Sequence, residues 1–215
     1  MKLFIDTAEV AQVREAWSWG IIDGVTTNPS HVAKSGRKPS EVYREICDIV
    51  DGPISLETIA LDCEGIVREG VELAKLHKNV VIKVPIMKEG LKAVKILAAE
   101  GYKTNVTVTF SALQALLAAK VGATYISPFI GRLDAVGHDG MELVRQIRTI
   151  YVNYGFHTQI ITAAARHPLH VLQAALAGSD VITMSFDILQ QLYQHPLTDN
   201  VLDMFLKDWA KIPNK

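Results

Sequence analysis

The sequence predicts an α/β chain folded as a single (β/α)8 TIM barrel with an extra C-terminal helix. Three observations carry that expectation. Short β-branched apolar runs alternate with longer amphipathic stretches from one end to the other. Strict alternation favours parallel strands, because each return to a parallel neighbour needs a crossover that a helix supplies. Eight units in 215 residues leave about 27 residues each, close to the roughly 30 of a minimal βαβ repeat. The main competitor, an open doubly wound sheet, should carry a glycine-rich turn after its first strand. Here that turn is Asp6-Thr7-Ala8-Glu9, without a glycine, and no Walker-type lysine loop follows. No linker or low-complexity segment divides residues 1–215, which read as one domain.

The elements follow in order. A first strand is expected over 2–6, ending in Asp6, with a helix over 8–19 signalled by Thr7. The second strand, 24–27, precedes a helix over 39–50 opened by Ser40. Strand 54–58 leads to helix 62–77, and strand 80–85 to helix 89–100. Strand 104–109 is followed by Ser111 and a helix over 111–121. Strands 124–130, 159–164 and 181–186 precede helices 139–154, 168–177 and 187–194. A further amphipathic stretch over 199–210, opened by Asp199, carries Val201, Leu202, Phe205, Leu206 and Trp209 and needs an apolar surface to cover it.

Composition narrows the function. With 22 Lys plus Arg against 23 Asp plus Glu, and the two signs interspersed, nucleic acid is not an expected partner. With 49% hydrophobic and 21% charged residues, the chain has material for a large core. The opening MKLFIDTAEV is broken by Asp6 and lacks a small-residue cleavage site, so no signal peptide is expected. Apolar runs stay at about seven residues, far below the roughly 20 that cross a bilayer, so no membrane association is expected. Cys47 and Cys63 lie in helical patterns without CxxC spacing, which reads as free thiols of a cytoplasmic protein.

A barrel puts its catalytic residues near the C-terminal ends of several strands. There the chain carries Asp6, then Thr26, Thr27 and Asn28, then Glu57, then Lys83. The fifth strand offers Asn105, Thr107 and Thr109 at alternate positions, and the sixth Ser127 and Phe129, each set on one face. Strand-end Asp, Asn and Thr also commonly cap the next helix or end pairing. Lys83 is harder to explain structurally. It interrupts Val80-Val81-Ile82-Lys83-Val84-Pro85, a run typical of a strand buried on both faces, and lysine is rarely buried unless paired or functional. Imine chemistry needs an unprotonated amine, with a pKa brought from about 10.4 toward roughly 7–8, and apolar burial supplies shifts of that size. With Asp6 and Glu57 available for proton transfer, the inventory suits a protonated Schiff base used as an electron sink. His167 and His170, three apart at a helix start, form an isolated pair expected at the surface, so no metal is implied. A serine hydrolase would need a GxSxG turn, which is absent.

LFIDTAEV (3–10), GVTTNPS (24–30), VVIKVP (80–85), TNVTVTFSALQA (104–115), ISPFIGRLD (126–134), RHP (166–168) and HPLTDNVLDMFLKDW (195–209) together resemble the small transaldolases and related fructose 6-phosphate aldolases over essentially the whole chain. The resemblance implies that Lys83 forms the Schiff base with C2 of a ketose phosphate and that Asp6 takes the C4 hydroxyl proton. It implies that Glu57 and Thr107 hold a proton-shuttling water, and that Asn28, Asn105 and Ser127 bind the dihydroxyacetone unit. Thr27 and Phe129 complete the substrate-binding set, and Arg132 and Arg166 clamp phosphate with guanidinium forks. No cofactor is implied. Glu57 and Phe129 stand where the aldolases carry Gln and Tyr, which favours transfer to an acceptor over release of free dihydroxyacetone. The alternatives are such an aldolase, or a sugar-phosphate-binding barrel without catalysis. One departure is Ala164 in Thr162-Ala163-Ala164-Ala165-Arg166, where the family usually has serine. Loss of a neutral phosphate hydrogen bond should cost about 0.5–1.5 kcal/mol. Thr183-Met184-Ser185-Phe186 departs as well and has no mechanistic reading from sequence. The resemblance also implies a homo-oligomer, commonly a decamer of two pentameric rings, with helix 199–210 docking on a neighbouring subunit.

Overall fold

Residues 1–213, which the computed structural model describes, alternate strand and helix in the expected order. The first part runs β1 (Lys2–Asp6), α1 (Val10–Ser18), β2 (Gly24–Thr26), α2 (Pro29–Ser35), α3 (Pro39–Ile49), β3 (Ile54–Glu57) and α4 (Cys63–Ala74). The middle comprises β4 (Val80–Pro85), α5 (Lys88–Ala99), β5 (Thr104–Thr109), α6 (Ala112–Lys120) and β6 (Tyr125–Pro128). Then come α7 (Ile130–Asp134), α8 (Gly140–Tyr154), β7 (Gln159–Thr162), α9 (Pro168–Leu176), β8 (Val181–Met184), α10 (Phe186–Gln191) and α11 (Pro196–Ala210). Every strand pairs in parallel with the next, and β8 returns to β1, closing the barrel in sequence order.

Several boundaries differ from expectation for local reasons. The helices α2 and α7 were not anticipated, because seven and five residues are too short to show a helical period. Asn28 starts α2 by accepting the His31 N–H at 3.0 Å, and Pro29 follows in the first turn, where its missing N–H costs nothing. Ser111 is a true N-cap, with Gln114 completing a capping box. Ser40 is not, because Pro39 has already begun α3. Nor is Asp199, because Pro196 begins α11 earlier and His195 accepts the Leu197 N–H at 3.2 Å; Asp199 instead lies in the acidic first turn. Thr7 bonds the Glu9 N–H at 3.1 Å, just outside α1, whose N-cap is Glu9. The ends of β2, β3, β6, β7 and β8 fall short of the expected bounds, leaving those last residues to the loops of the barrel mouth.

The larger core lies between strands and helices, with Ile46, Leu56, Ile66, Leu97, Val144 and Ile147 fully buried. A second, separate cluster of Phe4, Val81, Tyr125, Ile161 and Val181 plugs the barrel interior. Cys47 and Cys63 are free, and burial, aided by Asp48, pushes the Cys47 thiol up to about 11. No residue of α11 is buried, and Leu202, Phe205 and Leu206 are exposed on it. No helix among the described residues is long and apolar enough to cross a membrane.

Candidate active site

On four of the five strands that form the apolar plug, the same inward face becomes polar two residues on: Phe4 is followed by Asp6, Val81 by Lys83, Tyr125 by Ser127 and Val181 by Thr183, whereas Ile161 is followed by Ala163. Parallel register sets Glu57 beside Lys83 on one side and Asn105 on the other. Above this layer, at the C-terminal ends of the strands, opens a cavity of about 460 Å3, within the range of small-molecule sites.

Lys83, only 4% exposed, reaches the cavity with its Nζ. The ammonium donates to the Thr27 carbonyl at 2.9 Å and pairs with Glu57 Oε2 at 2.9 Å. Asp6 lines the same cavity. Its Oδ1 accepts the Thr26 hydroxyl at 2.8 Å, and Thr26 is in turn 2.6 Å from the Thr183 hydroxyl. His31 Nε2 stands 3.3 Å from Asp6 Oδ2. Burial pushes the Asp6 carboxyl up, but the His31 hydrogen bond, the charges of Lys83 and His31, and the Thr26 hydroxyl outweigh it. They hold Asp6 below the usual carboxylate value.

Asn105 is fully buried and fixed at both ends of its amide, donating to Ser55 Oγ at 3.1 Å and accepting from Ser127 Oγ at 2.7 Å. Ser127 and Phe129 line the wall, with Phe129 edge-on to Phe110 at 6.0 Å between ring centroids. Asn28 lines the wall opposite. Thr107 is fully buried, and its hydroxyl has no partner. Thr27 differs from expectation. Strand alternation turns it away from the cavity, its hydroxyl donates to the Ser55 carbonyl at 2.9 Å, and only its carbonyl serves the site, through Lys83. The inward residue of that pair is Thr26.

Arg132 on α7 and Arg166 after β7 face the cavity from neighbouring loops. The loops touch at Gly131, where an added Cβ would lie 2.2 Å from the Ala164 carbonyl oxygen and 2.7 Å from Arg166 Cγ. Only glycine admits that approach. Ala164 itself has φ +59°, and Val108 has φ +60°; both line the cavity. Such conformations of non-glycine residues cluster at functional sites and cost of order 1–3 kcal/mol each. At Val108 the β5–β6 register shifts, so the expected common face of Asn105, Thr107 and Thr109 breaks and Val108 enters the wall.

The sequence names Thr26 only among the strand-end candidates and Thr183 only as a departure, and it gives no role to His31 or Val108. Strand alternation counted from the buried apolar residues points Thr26 and Thr183 inward; the other two carry no sequence signal. His167 and His170 do not form the expected surface pair, because His170 is buried at 4% exposure, stacked 3.7 Å from the His167 ring. No group of three or more His, Cys, Asp or Glu residues converges as a metal site among the described residues.

The family model described as Transaldolase/Fructose-6-phosphate aldolase matches residues 3–213. A protein named probable transaldolase from Hydrogenobaculum sp. (strain Y04AAS1) is 59% identical over 215 residues, covering 100% of this chain and 99% of its own. One of the same name from Aquifex aeolicus (strain VF5) is 57% identical with the same coverage. Among solved structures, a thiamine phosphate pyrophosphorylase from Pyrococcus furiosus superposes with a TM-score of 0.60 at 15% identity, covering 89% of this chain and 93% of that one. That likeness is one of fold alone. The full-length family match and the close relatives establish that this chain belongs to the transaldolase/fructose-6-phosphate aldolase family.

Proposed function

We propose that the protein is a transaldolase, moving a dihydroxyacetone unit from sedoheptulose 7-phosphate or fructose 6-phosphate to glyceraldehyde 3-phosphate or erythrose 4-phosphate. The observation that carries this reading is the buried Lys83 amine, held between Glu57 and the Thr27 carbonyl in a cavity it shares with Asp6. Glu57 takes the ammonium proton, and the free amine attacks C2 of the ketose. Loss of water from the carbinolamine gives the protonated Schiff base, with Glu57 and Thr107 holding the water that shuttles protons. The unpartnered Thr107 hydroxyl in the barrel supports that role. Asp6 then takes the C4 hydroxyl proton, the C3–C4 bond breaks, and its electron pair passes into the iminium to leave an enamine on Lys83. The first aldose departs. The enamine attacks the acceptor aldehyde, Asp6 returns its proton, and hydrolysis frees Lys83.

Asn28, Asn105 and Ser127 bind the retained three-carbon unit, and Arg132 and Arg166 hold the phosphate. The doubly anchored Asn105 amide supports a fixed orientation for that unit. Phe129 cannot donate a hydrogen bond to a water that would protonate the enamine, which favours transfer over release of dihydroxyacetone. We further propose a single barrel domain working in cytoplasmic pentose phosphate interconversion, as a ring-based homo-oligomer with α11 docked on a neighbouring subunit. The wholly unburied apolar face of α11 supports that arrangement.

Borohydride reduction with fructose 6-phosphate, read by mass spectrometry, tests the chemistry. A reduced three-carbon adduct on Lys83 is expected, and its absence would reject the reading in favour of a binding barrel. Consumption of fructose 6-phosphate should require erythrose 4-phosphate; consumption without an acceptor would identify an aldolase instead.

A further inference from the structure

We propose that His170 is a positioning residue that ties the loops of Arg132 and Arg166 into one phosphate clamp. This rests on the reading of those arginines as phosphate ligands. His170 Nδ1 accepts the backbone N–H of Arg166 at 3.1 Å. That bond sets the tautomer, so Nε2 carries the hydrogen and donates to Asp134 Oδ2 at 3.0 Å. Asp134 closes α7, the helix of Arg132, and its other oxygen accepts the Gly140 N–H at 2.8 Å, anchoring the start of α8. One buried imidazole thus bridges the backbone of one arginine to the short helix of the other. The Arg166 stem already rests on Gly131, so the two loops meet in two places. Burial and the neighbouring His167 hold His170 below the usual histidine value, with Asp134 opposing, which keeps the neutral form that this bridge needs.

His170→Asn keeps an acceptor near Arg166 and loses the donor to Asp134, whereas His170→Gln places an amide near Asp134 and loses the acceptor. Each should raise KM for fructose 6-phosphate roughly tenfold, the loss of one hydrogen bond in a charged site. The KM for unphosphorylated glyceraldehyde, assayed as acceptor at saturating fructose 6-phosphate, and both kcat values should stay within about twofold. Asp134→Ala should reproduce the selective effect with the imidazole itself left in place, which keeps the test open if a His170 variant fails to fold. A purely structural histidine would lower Tm and leave the ratio of the two KM values unmoved, and that result overturns the proposal. Arg132→Ala and Arg166→Ala run in parallel. If they raise KM selectively while the His170 and Asp134 variants do not, only the bridge is rejected; if they also lack selectivity, the phosphate reading falls with it.

Discussion

Glu57→Ala leaves the Lys83 ammonium inside the barrel with the Thr27 carbonyl as its remaining partner. Breaking one side of a buried ion pair costs about 3–5 kcal/mol, because the other charge stays desolvated. The lower end applies here, since the Glu57 side chain is 11% exposed against 5% for Lys83, and the carbonyl is retained. A loss of about 3 kcal/mol corresponds to a roughly 150-fold fall in the folding equilibrium constant. Urea titration at pH 7 and fixed protein concentration, followed by far-UV circular dichroism, measures it through the midpoint and slope. The double variant Lys83→Met with Glu57→Ala removes both charges and should recover stability to within about 1 kcal/mol of the parent. Loss of less than about 1 kcal/mol in Glu57→Ala, or a double variant as unstable as the single, would refute the claim that the pair is a desolvated unit.

His31→Leu removes a contact that holds Asp6 below its ordinary value of 3.8, so the Asp6 carboxyl rises and the acid limb of the kcat profile moves to higher pH; an unmoved limb counts against the pairing. The sign for stability follows. The depressed Asp6 stabilises the fold fully above 3.8 and loses that contribution as pH falls through its lower folded value, so His31→Leu should flatten this acid-side loss in urea titrations across pH. Ala164→Ser adds a hydroxyl to the cavity wall and should lower KM for phosphorylated donors about two- to tenfold, checked against unphosphorylated glyceraldehyde as acceptor, whose KM should not change. Phe205→Glu places a charge on the apolar face of α11 and should reduce the oligomer mass in sedimentation, with the barrel's circular dichroism retained.

The barrel was legible because its strands are β-branched runs with helical stretches between them, a pattern that survives without knowledge of contacts. Lys83 was legible for the converse reason, since a charge in such a run has no cheap structural explanation. Short-range detail was lost where the chain gives no period to read. The helices α2 and α7 are too brief, and with them went His31 and the seating of Arg132. Whether Thr26 or Thr27 faces inward is a question of phase: alternation says that one does, and only an anchor such as Asp6 in register with Thr26 says which. His170 looked like a surface residue because Pro168 opens α9 just before it, leaving no preceding turn to define an inner face. Val108 was invisible in principle, since local preference argues against a β-branched residue with positive φ.

That kink gives the enzyme an adjustable panel in an otherwise rigid frame. Neighbouring strands hold β5 on both sides, yet the Val108 side chain belongs to neither the plug nor the helix layer and faces the chamber from a bend outside the regular ladder. Trimming it to glycine would relieve backbone tension and widen the chamber at one stroke, without disturbing Lys83 or Asp6. Efforts to accommodate bulkier aldehydes have a natural starting position there, where shape can change while the chemistry stays fixed.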